Sequence, residues 1–196
     1  MREADNIREV EQAGADMIGF IFYSKSPRHV EEAPEYLPQR AKRAGVFVNE
    51  GIESILNIVT RFGLNYVQLH GEEPPEYCRL LRQAGGVSVI KAFSISQEKD
   101  LQAIHTYEGL CDYYLFDTKC DEHGGSGKSF DWSILNEYKG QTPFLLSGGI
   151  SVENVEALKE FKHPRLSGID INSRFEVSPG VKDVQKIKSF LNKLVH

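Results

Sequence analysis

The stretch FDTKCDEHGGSGKSFDW, residues 116–132, joins one carboxylate to an easily bent loop. Asp117 ends an apolar run that is typical of a buried strand, and three glycines follow at positions 124, 125 and 127. A carboxylate held at the end of a strand can act as a general acid or base. The adjoining loop is either a lid, with Lys128 able to reach an anion, or a plain surface loop.

The sequence GGSGKS in this loop is partly similar to a nucleotide-binding P-loop. A P-loop requires a glycine five residues before its Gly-Lys pair. The chain has Glu122 at that position. We therefore predict no nucleotide site here.

A second glycine turn, LSGGIS, follows a later apolar run. Gly148 and Gly149 would let backbone N–H groups approach an anion closely. A helix predicted to begin near Ser151 would add its positive end. The pattern favours a phosphate site, although a plain glycine-rich turn has the same sequence.

Further polar residues follow the other apolar runs. Arg28 suits a bidentate clamp for a carboxylate or a solvated loop position. His70 suits an acid–base role or a simple cap on a strand end. Asn49 follows an earlier run, and Asp170 and Asn172 lie at the last one.

Seven short apolar runs predict the strands of one sheet, and amphipathic segments lie between most of them. Because the runs are apolar almost throughout, they indicate strands buried on both faces. Strands that alternate with helices predict βαβ units and a parallel sheet in a single domain over residues 1–196. In such folds the active site lies at the carboxyl ends of the strands, where the polar residues above occur. The runs are MIGFIF (from residue 17), RAGVFV (43), YVQLH (66), VSVIKAF (87), YYLFD (113), FLLSGG (144) and SGIDIN (167).

Composition excludes several classes of function. The net charge of −5 over 196 residues predicts no nucleic-acid partner, because such partners usually meet a basic surface. No apolar run reaches the roughly 18 residues that a membrane span needs. The charged start does not resemble a signal peptide, and three scattered cysteines favour a cytoplasmic protein. Cys120 and His123 have no further clustered ligands nearby, so we predict no zinc site.

Six motifs run in order along nearly the whole chain: GADMIGFIFYSKSPRHV, GVFVNE, VQLHGEE, VIKAF, FDTKCDEHGGSGKSFDW and FLLSGGISVENV. Together they resemble the phosphoribosylanthranilate isomerase family of tryptophan biosynthesis. The resemblance implies a (βα)8 TIM barrel and an Amadori rearrangement of N-(5-phosphoribosyl)anthranilate to 1-(2-carboxyphenylamino)-1-deoxyribulose 5-phosphate. It implies no metal or organic cofactor, and a small phosphosugar as the ligand.

The resemblance also implies roles for single residues. Asp117 matches the general acid, which must keep its proton in a dry site in order to open the ribose ring. Arg28 matches the arginine that binds the anthranilate carboxylate. The other matches are Gly148 and Gly149 in the phosphate turn, Asn172, Ser173 and Arg174 in a second phosphate loop, and His70 and Asp170 lining the pocket, with Lys128 as a further substrate-binding candidate.

Two departures separate the chain from the family pattern. Arg174 stands where the family often has a small residue, so it either adds charge to the phosphate site or points away. The family's general base is a cysteine in a KxCG segment on its first strand, and the chain contains no such segment. Cys78 is predicted on a helix, Cys111 before a strand and Cys120 on the wrong loop, so none of them replaces it.

A helix predicted over residues 2–13 precedes the seven strands. We therefore expect an N-terminally truncated barrel whose first β-strand is missing. The strands that start at Met17 and Ser167 would then have open edges that allow self-association, and turnover would be impaired because the base is absent. Two alternatives remain, a non-catalytic phosphosugar-binding barrel and another phosphosugar isomerase on the same fold.

Overall fold

A seven-stranded parallel sheet forms the centre of the molecule. The computed structural model describes residues 1–118 and 132–195, and each strand of the sheet pairs with the next along the chain. All seven predicted strands are present, with small differences at their ends. They are β1 (Met17–Ile21), β2 (Lys42–Phe47), β3 (Tyr66–Leu69), β4 (Ser88–Ile95), β5 (Tyr113–Thr118), β6 (Phe144–Ser147) and β7 (Leu166–Ile169).

The sheet is curled. Met17 of β1 packs against a small apolar cluster formed by Ile90 and Ala92 of β4 and Leu115 of β5. Neighbouring strands lie about 4.8 Å apart, so a flat sheet would keep β1 far from β4. The seven strands therefore form a curled half-barrel of the α/β class.

Helices pack against the sheet through the apolar stripes that the sequence predicts. Ile55, Leu81 and Phe190 are fully buried. No helix in the described part of the chain is long and apolar enough to cross a membrane. The α-helices are α1 (Ala4–Gln12), α2 (Ile52–Phe62), α3 (Pro75–Gly85), α4 (Val155–Glu160) and α5 (Val184–Val195), and 3₁₀ helices span Glu98–Tyr107, Trp132–Glu137, Val152–Asn154 and Ser173–Phe175.

The connection from β1 to β2 contains no helix and is an exception to the predicted alternation of strands and helices. Three prolines interrupt this segment, and each removes a helical hydrogen-bond donor. The buried carboxylate of Glu11 on α1 orders the segment instead. It accepts hydrogen bonds from the backbone N–H groups of Arg40 (2.6 Å) and Ala41 (2.8 Å) and from the Tyr36 hydroxyl.

An antiparallel hairpin that the sequence patterns do not predict follows β7. Its strands are β8 (Glu176–Ser178) and β9 (Val181–Lys182). The Asn6 side chain of α1 donates to the Lys182 carbonyl (2.8 Å) and accepts from the Lys182 N–H (2.7 Å). These two bonds anchor the hairpin to α1.

The end strands of the described sheet are β1 and β7. The expectation of an open edge needs correction at β1, because two of its outward carbonyls are occupied. The Gly19 carbonyl accepts a hydrogen bond from the Met1 nitrogen (2.6 Å), and the Ile21 carbonyl accepts one from the Val30 N–H (2.8 Å). At β7 the described residues provide no strand partner other than β6.

We predict that Glu11→Gln lowers the free energy of unfolding at neutral pH by about 1–2 kcal/mol, because hydrogen bonds to a charged acceptor are lost. Burial raises the Glu11 pKa, but the hydrogen bonds from Tyr36, Ala41 and Arg40 outweigh it and lower this pKa from 4.5 to about 2. A lowered folded-state pKa means that the contribution is complete above pH 4.5 and is lost as the pH falls towards 2.

Urea unfolding of the parent and the variant at several pH values measures this difference. Glu9→Gln, on the exposed face of the same helix, is the matched control. Equal losses for the two variants, or a Glu11→Gln loss that does not shrink in acid, would contradict the assignment.

Candidate active site

Three of the predicted site residues lie together at the carboxyl ends of the strands. His70 directly follows β3, Asp117 is the penultimate residue of β5, and Asp170 directly follows β7. The His70 Nε2 and Asp117 Oδ2 atoms are 3.9 Å apart. Asp170 accepts a hydrogen bond from the Ser147 hydroxyl (2.9 Å), and Ser147 is the register partner of Asp117. The two carboxylates therefore lie on either side of β6.

The carboxyl ends of β5 and β6 are in close contact. The Thr118 hydroxyl donates to the Ser147 carbonyl (2.8 Å). A Cβ added at Gly148 would lie 2.2 Å from the Thr118 carbonyl oxygen and 2.8 Å from Asp117 Oδ1. Gly148 also has a φ of 86°, which residues with side chains rarely adopt. Glycine is therefore required here, and the glycine turn lies directly against the predicted acid.

The rest of this turn is held by Asn154. Its side-chain amide donates to the Gly149 carbonyl (2.9 Å), and its Oδ1 accepts from the Ser151 N–H (2.9 Å). Among the described residues the N–H groups of Gly148 and Gly149 have no acceptor. These two donors are the groups that an anion would need.

The helix predicted from Ser151 is shorter than expected. A three-residue 3₁₀ turn, Val152–Asn154, comes first, and α4 has only six residues. A short helix has few aligned peptide dipoles, so its end contributes less to anion binding than the sequence pattern suggests. The glycine backbone carries most of the predicted anion site.

The two carboxylates of the cluster have different surroundings. Burial raises the pKa of Asp170, although the hydrogen bond from Ser147 and the charge of Lys182 act in the opposite direction. Asp117 keeps 35% of its side chain exposed. The described residues therefore do not provide the dry site that the sequence predicts for Asp117. The predicted lid residue Lys128, like Cys120 and His123, lies outside the described residues.

The guanidinium of Arg28 is paired rather than solvated. Its Nε lies 3.0 and 2.9 Å from the two carboxylate oxygens of Glu176, and its Nη2 donates to Oε2 at 2.6 Å. Nη1 has no acceptor in the described part of the chain. Glu176 thus orients Arg28 along one edge of the guanidinium and leaves the Nη1–Nη2 edge available for a second carboxylate.

Lys182 connects Glu176 to the second predicted phosphate loop. Its Nζ donates to Glu176 Oε1 (3.1 Å), to Asn172 Oδ1 (2.7 Å) and to the Asn172 carbonyl (3.1 Å). Burial raises the Glu176 pKa, but the hydrogen bond from Arg28 and the charge of Lys182 outweigh it and lower this pKa to about 2. Glu176 is therefore an anion between two cations.

The other two residues of this loop, Ser173 and Arg174, have exposed side chains. Sequence reasoning missed Glu176 and Lys182, because charged residues in an irregular segment carry no periodic signal. No group of three or more His, Cys, Asp or Glu side chains in residues 1–118 and 132–195 is placed to hold a metal ion.

Comparison with known proteins decides the family. The family model described as N-(5'phosphoribosyl)anthranilate (PRA) isomerase matches residues 1–193. The chain belongs to the PRA isomerase family. An N-(5'-phosphoribosyl)anthranilate isomerase from Phocaeicola vulgatus is 55% identical over 194 residues, which cover 99% of this chain and 94% of that relative.

Solved PRA isomerases share the fold. The crystal structure of the enzyme from Thermotoga maritima has a TM-score of 0.83 at 36% identity, covering all of this chain and 95% of that one. Another crystal structure is that of a PRA isomerase in complex with reduced 1-(o-carboxyphenylamino)-1-deoxyribulose 5-phosphate. It has a TM-score of 0.79 at 32% identity, covering all of this chain and 98% of that one. The resemblance drawn from the motifs is therefore confirmed at the level of the family and of the barrel-like α/β fold.

We predict that Gly148→Ala damages both the fold and the anion site of this PRA isomerase family member. The added methyl group would displace the end of β5 and Asp117, at a cost of about 2–4 kcal/mol in unfolding free energy once the backbone strain is included. Gly109→Ala is the matched control, because Gly109 has a similar φ of 76° but no atom within 4 Å of its Cβ position.

Chemical denaturation gives the stability change, and titration with inorganic phosphate reports the anion site. A Gly148→Ala variant that is no less stable than Gly109→Ala would contradict the close contact between Gly148 and the end of β5.

Proposed function

We propose that the chain acts on N-(5'-phosphoribosyl)anthranilate and rearranges it to 1-(2-carboxyphenylamino)-1-deoxyribulose 5-phosphate. The observation that carries this proposal is the placement of His70, Asp117 and Asp170 beside the Gly148 turn. The ligand in the related crystal structure is named as a reduced carboxyphenylamino deoxyribulose phosphate. Such a molecule presents a carboxylate, a sugar chain and a phosphate, and the chain offers a group for each.

Opening of the ribose ring requires a proton on the ring oxygen. In our proposal Asp117 donates this proton, the bond from C1 to the ring oxygen breaks, and the lone pair of the anthranilate nitrogen forms the C=N bond of a Schiff base. Asp117 is left as a carboxylate. The His70 Nε2, 3.9 Å from Asp117 Oδ2, faces the negative charge that develops there.

The second step removes the proton from C2 and yields an enolamine, which becomes the ketone by tautomerisation. The family performs this step with the cysteine of its KxCG segment, and the chain has no such segment. Cys78 and Cys111 are buried in α3 and ahead of β5. We therefore expect residues 1–196 on their own to bind the phosphosugar and to turn it over slowly.

Two groups of N–H donors suit the two anionic ends of the ligand, the carboxylate and the phosphate. The Nη1–Nη2 edge of Arg28 suits the anthranilate carboxylate, since two parallel hydrogen bonds match its shape. The N–H groups of Gly148 and Gly149, which have no acceptor among the described residues, suit the phosphate. In our proposal residues 172–174 form the second side of that phosphate site.

We also infer that β1–β7 are seven of the eight strands of a (βα)8 barrel, with the eighth position between β1 and β7. The bond from the Met1 nitrogen to Gly19 lies along the edge of β1 that such a strand would pair with. Because β7 has no strand partner other than β6 among the described residues, its outer edge suits self-association in this proposal. We place the protein in the cytoplasm, in agreement with two free thiols, Cys78 and Cys111.

A non-catalytic phosphosugar-binding barrel is the alternative. Both functions predict binding of the reduced product analogue, and they differ in turnover once a base is present. Calorimetry with the analogue tests binding, and the loss of anthranilate fluorescence tests turnover. A chain that does not bind the analogue at all would contradict the proposed function.

We predict that a KxCG-type strand appended ahead of Met1 raises both the turnover and the melting temperature. The segment would fill the position between β1 and β7 and bring a thiolate to the site. The matched control is the same segment with serine in place of cysteine, which should raise the melting temperature without restoring turnover. If the cysteine form is as slow as the serine form, the chain is a binding barrel.

We predict different effects for Asp117→Asn and Arg28→Ala in the chain that carries this segment. Asp117→Asn should reduce kcat by about 10²–10⁴-fold, as expected for a general acid, with analogue affinity changed less than tenfold. Arg28→Ala should weaken the binding of the analogue by about 1.5–3 kcal/mol.

An analogue without the aryl carboxylate separates this loss from the effect of removing one of the two cations that pair with Glu176. Arg28→Ala should barely change its affinity. Near-normal turnover by Asp117→Asn would show that another group is the acid.

A further inference from the structure

A buried ion pair lies next to the turn that carries His70. Lys91 of β4 and Glu73 of the β3–α3 connection have side chains that are only 3% and 1% exposed, and Lys91 Nζ is 3.3 Å from Glu73 Oε2. The free energy that is lost when two charges are removed from water is about as large as the free energy that their attraction supplies. The pair therefore adds little to overall stability, and its other hydrogen bonds indicate what it does.

Those hydrogen bonds hold the peptide groups on both sides of His70. Lys91 Nζ donates to the carbonyls of Leu69 (3.3 Å) and Gly71 (2.8 Å). Glu73 Oε2 accepts from the Gly71 N–H (3.0 Å). A Cβ at Gly71 would lie 2.4 Å from Asn49 Oδ1 and 2.8 Å from Glu73 Oε1, so a side chain does not fit at this position. The backbone of His70 is thus clamped by one buried cation and one buried anion.

The imidazole of His70 is oriented by a further contact. The side-chain amide of Gln68 lies 3.0 Å from His70 Nδ1. With the Gln68 NH₂ group as donor, Nδ1 accepts and the ring proton is on Nε2. That Nε2–H group faces Asp117 Oδ2 at 3.9 Å, a gap that an oxygen atom of a ligand can bridge.

We propose that Glu73 and Lys91 are positioning residues, which hold His70 so that its Nε2–H group faces Asp117 and the reacting end of the ligand. Both side chains are almost fully buried, so neither is exposed to a ligand in this arrangement. The catalytic meaning of the proposal rests on the proposed function, whereas the orientation of His70 rests on the contacts above and can be tested without turnover.

Nitrogen-15 NMR of the unliganded chain at pH 8 tests the orientation directly. His70→Asn identifies the His70 signal. We expect one Nε2–H tautomer in the parent chain and averaging between both tautomers in Lys91→Met and in Glu73→Gln. Glu11→Gln is the matched control, since Glu11 is another buried carboxylate that binds backbone N–H groups but lies on α1. It should leave the His70 spectrum unchanged.

Glu73→Gln keeps a side chain of the same size and so covers the case in which Lys91→Met does not fold. Averaged tautomers in the parent chain, or a single Nε2–H tautomer in both folded variants, would overturn the proposal. Neither result depends on whether the phosphosugar binds.

A double-mutant cycle on analogue binding tests the link to the ligand. His70→Asn and Lys91→Met should each weaken binding about five- to tenfold, as expected for one lost hydrogen bond to a ligand. Because both changes remove the same contact, the double variant should be no weaker than either single variant. If the fold-losses of affinity in the two single variants multiply in the double variant, Lys91 has a merely structural role. A parent chain that does not bind the analogue contradicts the proposed function instead, and leaves the NMR test of His70 decisive.

Discussion

The close approach of Gly148 to the end of β5 is the constraint on which the candidate site depends. Because it has no side chain, Gly148 can lie against Thr118 and Asp117. Its positive φ turns the chain directly after the last residue of β6. The same contact places the predicted acid and the predicted phosphate turn side by side. The proposed reaction needs an acid at one part of the sugar and an anion site at its other end, and the contact at Gly148 brings the two candidate groups together.

Several buried charges in this molecule bind backbone groups of irregular segments. Glu11 orders the connection between β1 and β2, and the Glu73–Lys91 pair clamps the turn at His70. Lys182 joins β9 to the Asn172 loop. Each of these segments has irregular structure, so its N–H and C=O groups need partners when they are buried. A charged side chain supplies several strong hydrogen bonds from one position.

Much of the fold was predictable because continuous apolar runs and their spacing are local signals. The convergence of His70, Asp117 and Asp170 followed from the rule that parallel strands share one carboxyl edge. The segment between β1 and β2 does not follow the predicted alternation, because its prolines exclude a helix. A distant carboxylate, that of Glu11, orders this segment instead. The pairing of Arg28 with Glu176 was not predictable, since 148 positions separate the two residues and no periodic pattern relates them.

The crystal structure of this chain with reduced 1-(o-carboxyphenylamino)-1-deoxyribulose 5-phosphate tests the central claim most directly. We expect phosphate oxygens within hydrogen-bonding distance of the Gly148 or Gly149 N–H groups, about 2.7–3.2 Å. We also expect the aryl carboxylate on the Nη1–Nη2 edge of Arg28, and the sugar chain between His70 and Asp117. A phosphate bound away from the glycine turn, or a carboxylate remote from Arg28, would contradict the proposed site.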